Sequence, residues 1–124
     1  MIRPLAAALT LLVLLGGAGA QTPQLSLDGE AKWDFGKRAQ GEKDERVFIL
    51  RNPGDAPLII EKIGVTCGCI RVEPVRGSIP AGGQLEFTAF LDTTRVKGKI
   101  AKEIYIKSDA PAKRRINIAV RGEI

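Results

Sequence analysis

The sequence predicts an all-β sandwich, and three observations carry that prediction. Short apolar or alternating runs recur about seven times between residues 32 and 124. Clusters of Gly, Pro, Asn and Asp separate these runs, and helix-period patterns are scarce. Some seven short strands in roughly 100 residues fit two packed antiparallel sheets, with a five-stranded barrel as the alternative.

Each run has a local reason. Residues 21–31 mix polar side chains with Pro23 and Gly29 and read as a flexible lead-in, so the domain is expected over 32–124. Trp33-Asp34-Phe35 alternates apolar and polar and stops at Gly36. Arg46 to Arg51 is β-branched and aromatic-rich, and Val47-Phe48-Ile49-Leu50 is apolar on both faces, as in a strand flanked on both sides. In Asn52-Pro53-Gly54-Asp55, Pro53 presets φ near about −65°, Gly54 is expected to accept positive φ, and Asn or Asp side chains bond nearby amides.

Leu58 to Val65 extends into Cys67-Gly68-Cys69, and Ile70 to Val75 reads as a short strand closed by Pro74 and Gly77. Ser78 to Gly83 reads as a second turn cluster. Leu85, Phe87, Ala89 and Leu91 then share one face, with Glu86 and Thr88 on the other. Asp92 to Gly98 turns the chain. Ile104 and Ile106 alternate with Glu103, Tyr105 and Lys107, and Ser108 to Pro111 turns it again. Ile116, Ile118 and Val120 finally alternate with Arg115, Asn117, Ala119 and Arg121. The two cysteines stand only two positions apart and Trp33 precedes both, so an antibody-type bond between sheets is excluded.

Residues 1–20 read as a secretory signal peptide. Arg3 gives a positive start, Leu5 to Leu15 an apolar run shorter than a bilayer span, and Ala18-Gly19-Ala20 a small-residue cleavage site. An uncleaved anchor is the competing reading. The expectation is export to the periplasm or beyond, and a soluble chain cut after Ala20. That chain has 104 residues, with 18 basic and 14 acidic side chains. Its charge is uneven. Residues 21–60 hold 6 basic and 7 acidic groups, and residues 61–124 hold 12 and 7. The absence of His removes imidazole-based nucleophile systems and His-ligated metals, so no enzymatic activity and no cofactor is expected.

In order and spacing the motifs resemble a family of bacterial exported proteins, the domain of unknown function fifteen-seventy-three. They are Trp33-Asp34-Phe35-Gly36-Lys37, Gly41-Glu42, Phe48 to Leu58 around Asn52-Pro53-Gly54-Asp55, and Thr66-Cys67-Gly68-Cys69. Pro80-Ala81-Gly82-Gly83, Asp92-Thr93-Thr94, Gly98-Lys99 and Ser108-Asp109 follow. Ala110 departs from the family, which often has Asn or Asp before Pro at this hairpin. The resemblance implies an immunoglobulin-like sandwich akin to major sperm protein, Hydin-type repeats and pilus chaperones. It implies no enzyme, and it points to a protein-binding module that takes a partner by β-strand addition.

Cys67 and Cys69 are the redox candidates. Residues i and i+2 of an extended segment share a face, and Gly68 lets the backbone bend, so a disulfide is within reach. One intervening residue makes it a weak staple in the loop-entropy account. Three readings stand: structural thiols or an inert bond, disulfide exchange, and a Cu(I) site of two soft thiolates. Lys62 or Arg71 could lower a thiol pKa if folded nearby.

Arg95, Lys97, Lys99 and Lys102 surround the Gly98 turn and are candidates for anion or membrane contact. The competing reading is a set of charged edges that blocks strand pairing. Nucleic acid is not an expected partner, because no basic-aromatic stacking motif occurs. The aromatic residues are assigned to the core, with Phe90 the expected exposed exception.

Overall fold

Alternating burial along nine strands builds two sheets face to face. A computed structural model describes residues 21–124, and the expected leader, residues 1–20, lies outside the described residues. The strands are β1 (Ser26–Leu27), β2 (Lys32–Lys37), β3 (Lys43–Arg51), β4 (Leu58–Val65), β5 (Ile70–Glu73), β6 (Gly77–Ile79), β7 (Gln84–Asp92), β8 (Lys99–Ser108) and β9 (Arg115–Glu123). One sheet runs β1-β3-β7-β5 and the other β2-β9-β8-β4-β6. Pairing is antiparallel except for β2 with β9, which sets Trp33 beside Val120 in parallel. This is the expected immunoglobulin-like sandwich.

The core follows from period-two patterning. Phe48, Leu50, Phe87, Ala89, Leu91, Ile70 and Val72 from the first sheet meet Trp33, Phe35, Ile63, Ile104, Ile106, Ile118 and Val120 from the second. Phe48 stacks on Phe87 at 5.2 Å between centroids, and Trp33 meets Phe48 edge-on at 6.4 Å. Each fully buried aliphatic or Phe side chain contributes about 1.5–3 kcal/mol. Packing therefore holds the sheets together.

Asn52 organises one end. Its side chain is fully buried and all four of its hydrogen bonds are used. Nδ2 donates to the carbonyls of Ala56 (2.7 Å) and Ile79 (3.1 Å), and Oδ1 accepts from the N–H groups of Gln24 (3.1 Å) and Gly54 (3.0 Å). Thr93 does similar work at the other end, its hydroxyl donating to Glu42 O (2.6 Å) and accepting from Gly41 N–H (2.9 Å).

The structure differs from the sequence expectations at several places. The described residues form nine strands rather than about seven, because two short ones close sheet edges. β6 arises inside the expected Ser78–Gly83 turn, where Ile79 is buried and registers with Leu58. β1 arises inside residues 21–31, where Leu25 is buried at 6% exposure, so the sandwich starts before residue 32. Gly54 does not have positive φ. Its requirement is close approach, since a Cβ there would lie 2.3 Å from Thr22 O. Phe90 is half-buried, with the Arg71 guanidinium 4.4 Å from its ring centre. Ala110 is buried, its N–H donating to Ser108 Oγ at 3.2 Å.

Candidate functional site

The chain leaves β4, turns through residues 66–69 and enters β5, passing from one sheet to the other. Thr66 fastens the start of this turn: its N–H donates to Glu103 O at 3.1 Å and its hydroxyl accepts from Glu103 N–H at 2.9 Å. At the other end of the turn, Asp92 N–H donates to Cys69 O at 2.9 Å and continues the β5–β7 ladder. Between these anchors Cys67 and Cys69 are disulfide-bonded, with Cα atoms 5.2 Å apart. Cys69 is buried, Cys67 is half-buried and Gly68 is exposed.

Two open clefts flank the turn. One, of about 560 Å³, is lined by Lys43, Glu45, Cys69, Arg71, Phe90 and Asp92 among others. The second, of about 620 Å³, is lined by Gly68, Cys69, Asp92, Thr94, Arg95 and Val96. Asp92 therefore borders both. Its carboxyl is held below the ordinary carboxylate range, chiefly by the Thr94 hydroxyl (2.5 Å), then by Thr94 N–H, with Lys43 and Arg95 adding attraction. The sequence left Asp92 and Thr94 as a plain turn, although Asp-Thr-Thr is the pattern of a side chain that closes on the amide two residues ahead.

Of the two cations named as thiol neighbours, Arg71 reaches the first cleft, whereas Lys62 belongs to the outer face of the other sheet beside Tyr105. Arg71 also bonds Glu73. Among the described residues, no group of three or more His, Cys, Asp or Glu could hold a metal ion. Arg95 and Lys97 are exposed in the β7–β8 loop, and Lys99 is exposed at the start of β8. Lys102 is half-buried and falls on the inward register of Ile100 and Ile104, opposite Val120. The four do not share one face.

A different feature escaped sequence reading. β3 read as a strand with neighbours on both sides, because Val47-Phe48-Ile49-Leu50 is apolar throughout. Among the described residues its pairing is full on the β7 side only, since β1 registers with Arg51 and Leu50 alone. Asp28 N–H adds one bond to Ile49 O at 2.9 Å. Backbone groups alternate sides along an antiparallel strand, so those of Lys43, Glu45 and Val47 face the same uncovered edge as Ile49. Among the described residues, of these three N–H groups that of Glu45 alone has a partner, the Asp44 carboxylate at 2.8 Å. Val47 is 53% exposed beside half-buried Ile49.

Solved structures place the fold in wide company. A protein of unknown function from Porphyromonas gingivalis W83 superposes with a TM-score of 0.74 at 24% identity, over 90% of this chain and 51% of that one. This chain thus spans about half the length of that relative. The ASH/PapD-like domain 7 of human CEP192 matches at TM-score 0.69 and 13% identity, covering 82% and 85%. SSP-19, an MSP-domain-like protein of Caenorhabditis elegans, matches at 0.56 and 13%, covering 68% and 91%. At such identities the likeness establishes the fold alone. No curated protein matches the sequence. The family described as Protein of unknown function (DUF1573) matches residues 27–124, nearly the whole sandwich, and the chain belongs to it.

Proposed function

We propose that this protein is an exported protein-binding module that takes an extended segment of a partner as an added strand along Lys43–Val47 of β3. The observation behind the reading is the uncovered edge. β1 and Asp28 reach only as far as Ile49 of the nine-residue β3, so among the described residues the five from Lys43 to Val47, about 17 Å at about 3.4 Å per residue, have no neighbour on that side. Main-chain bonds to such an edge supply affinity, and the exposed side chains of Val47, Glu45 and Lys43 supply choice among partners. Export after Ala20 belongs to the reading and rests on the leader sequence.

One observation favours a second reading, thiol exchange. Cys67 is the more exposed of the two cysteines, and Cys69 stands between two clefts. A thiolate of a substrate dithiol would attack Cys67 Sγ, forming a mixed disulfide and releasing Cys69 as thiolate. The second substrate thiolate would attack the substrate sulfur and release Cys67. The substrate is then oxidised by two electrons, and its two protons end on Cys67 and Cys69. The Cu(I) reading needs the same reduced pair, and no feature of the site favours it.

One capture experiment separates these readings. Wild type, Val47→Pro and Cys69→Ser are offered an exported-protein fraction of the native cell. Proline at 47 removes an outward N–H and spares the ladder to β7, which uses even-numbered residues. Strand addition predicts a loss of about tenfold or more with Val47→Pro and full capture by Cys69→Ser. Equal capture by Val47→Pro refutes it, and a reducible adduct formed only by Cys69→Ser turns the conclusion to exchange.

A further inference from the structure

The outer face of the second sheet carries a charge arrangement that the fold does not need. Register sets Lys62 of β4 opposite Lys107 of β8, and Lys107 opposite Arg115 of β9. Three cations stand abreast on strands about 4.8 Å apart. Like charges directly opposite one another on a sheet are destabilising, so this row costs the unliganded protein stability.

The next row shows what keeps the three together. It consists of Gly64, Tyr105 and Asn117. A Cβ on residue 64 would lie 2.2 Å from Tyr105 Cζ, so the ring leans across β4 only because that position is glycine. The Arg115 guanidinium lies 4.6 Å from the ring centre, the Lys107 ammonium 5.5 Å and the Lys62 ammonium 5.7 Å. The negative face of the ring attracts all three but cancels no formal charge.

The surrounding carboxylates do not cancel it either. Glu61, Glu103 and Asp109 are the acidic residues nearest in register, and Asp109 is occupied by the N–H of Ile59 at 2.9 Å. Among the described residues, none of the three cations forms an ion pair, and the Arg115 side chain donates through Nε to the side-chain Oδ1 of Asn117 at 2.8 Å. Lys113 and Arg114, both exposed, add charge from the adjoining hairpin.

We infer that Lys62, Lys107 and Arg115 form an oxyanion site for a phosphate group. A guanidinium fork and two ammonium groups gathered about one ring offer more charge and more donors than a single carboxylate can use. A phosphate group, with up to two negative charges and three terminal oxygens, matches them better. The phosphate can come from a soluble phosphate ester or from a lipid headgroup. The site lies on the sheet opposite the β3 edge and stands independently of strand addition.

The test uses the whole exported chain at low salt. Inorganic phosphate and acetate are titrated at matched ionic strength while the Tyr105 and Arg115 NMR signals are followed. Sedimentation with phosphatidic acid vesicles and with phosphatidylcholine vesicles is measured in parallel. Phosphate is expected to act at concentrations about tenfold below acetate, and the variant Lys62→Gln/Lys107→Gln/Arg115→Gln to lose at least about tenfold in affinity. That variant should melt no lower than wild type, because the repulsion is gone. Binding to free phosphate assigns a soluble source, and binding only to phosphatidic acid assigns a headgroup. Equal responses to acetate and phosphate, unchanged binding by the variant, or a variant that melts lower each overturn the site.

Discussion

The two ends of the sandwich tie the chain down in opposite ways. At one end a single neutral side chain, Asn52, joins residues 24, 54, 56 and 79 through four hydrogen bonds and has no exposed surface. At the other a covalent bond joins Cys67 to Cys69 and closes a loop with one residue inside it. The stronger bond does less for the fold. A cross-link stabilises by excluding unfolded conformations, and linking residues two apart excludes few. Four hydrogen bonds across 55 residues of sequence hold segments that would otherwise diffuse apart, and their loss strands buried partners.

The largest expected effect therefore falls on Asn52. Asn52→Ala should cost about 3 kcal/mol or more in urea denaturation, since it leaves the carbonyls of Ala56 and Ile79 and the N–H of Gln24 unpartnered at about 1–3 kcal/mol for each truly buried group. A loss under about 1 kcal/mol would mean that water replaces the amide and that the contrast between the ends is wrong. The double variant Cys67→Ser/Cys69→Ser should cost about 1.6 kcal/mol at most, the loop-entropy value for a loop this short. A larger loss would show that the turn is a staple, and would weaken any exchange role that needs the reduced chain to stay folded.

The sequence spoke clearly where one signal dominated. The inward positions of β7 and β9 followed from simple alternation, because each strand has one wet face. β3 misled because an apolar run fits either a strand with two neighbours or one whose outer side chains border an open edge, and periodicity does not count neighbours. Ile79 was hidden for a different reason. Its surroundings, Pro80 to Gly83, are turn formers, and only burial against Leu58 makes a strand of it. Spacing put a disulfide within reach without choosing it over free thiols or a Cu(I) pair, and the two clefts beside it were not legible, since they depend on the β7–β8 loop and on Lys43 from β3. The cation row on β4, β8 and β9 needs the bulge between Ile60 and Lys62, a register shift with no sequence mark.

The smallest effect concerns Asp92, which borders both clefts at the disulfide end. Asp92 is exposed, and its lowered pKa comes from specific donors, the Thr94 hydroxyl first and the Thr94 N–H second, with partial desolvation opposing them and Lys43 and Arg95 adding attraction. A carboxylate whose pKa is lower in the folded chain than in the unfolded one, where it is about 3.9, stabilises the fold above that value. The contribution is lost as pH falls through the folded pKa, so any effect is confined to acid below about pH 4. Titration of the side-chain carboxyl by NMR should place Asp92 below the other exposed aspartates, and Thr94→Val should return it most of the way to the ordinary value. If the value does not move, the hydroxyl is not what holds the carboxylate. The Asp92–Thr94 turn would then be set by its backbone alone, and the disulfide end would keep a charge between its clefts without a side chain dedicated to it.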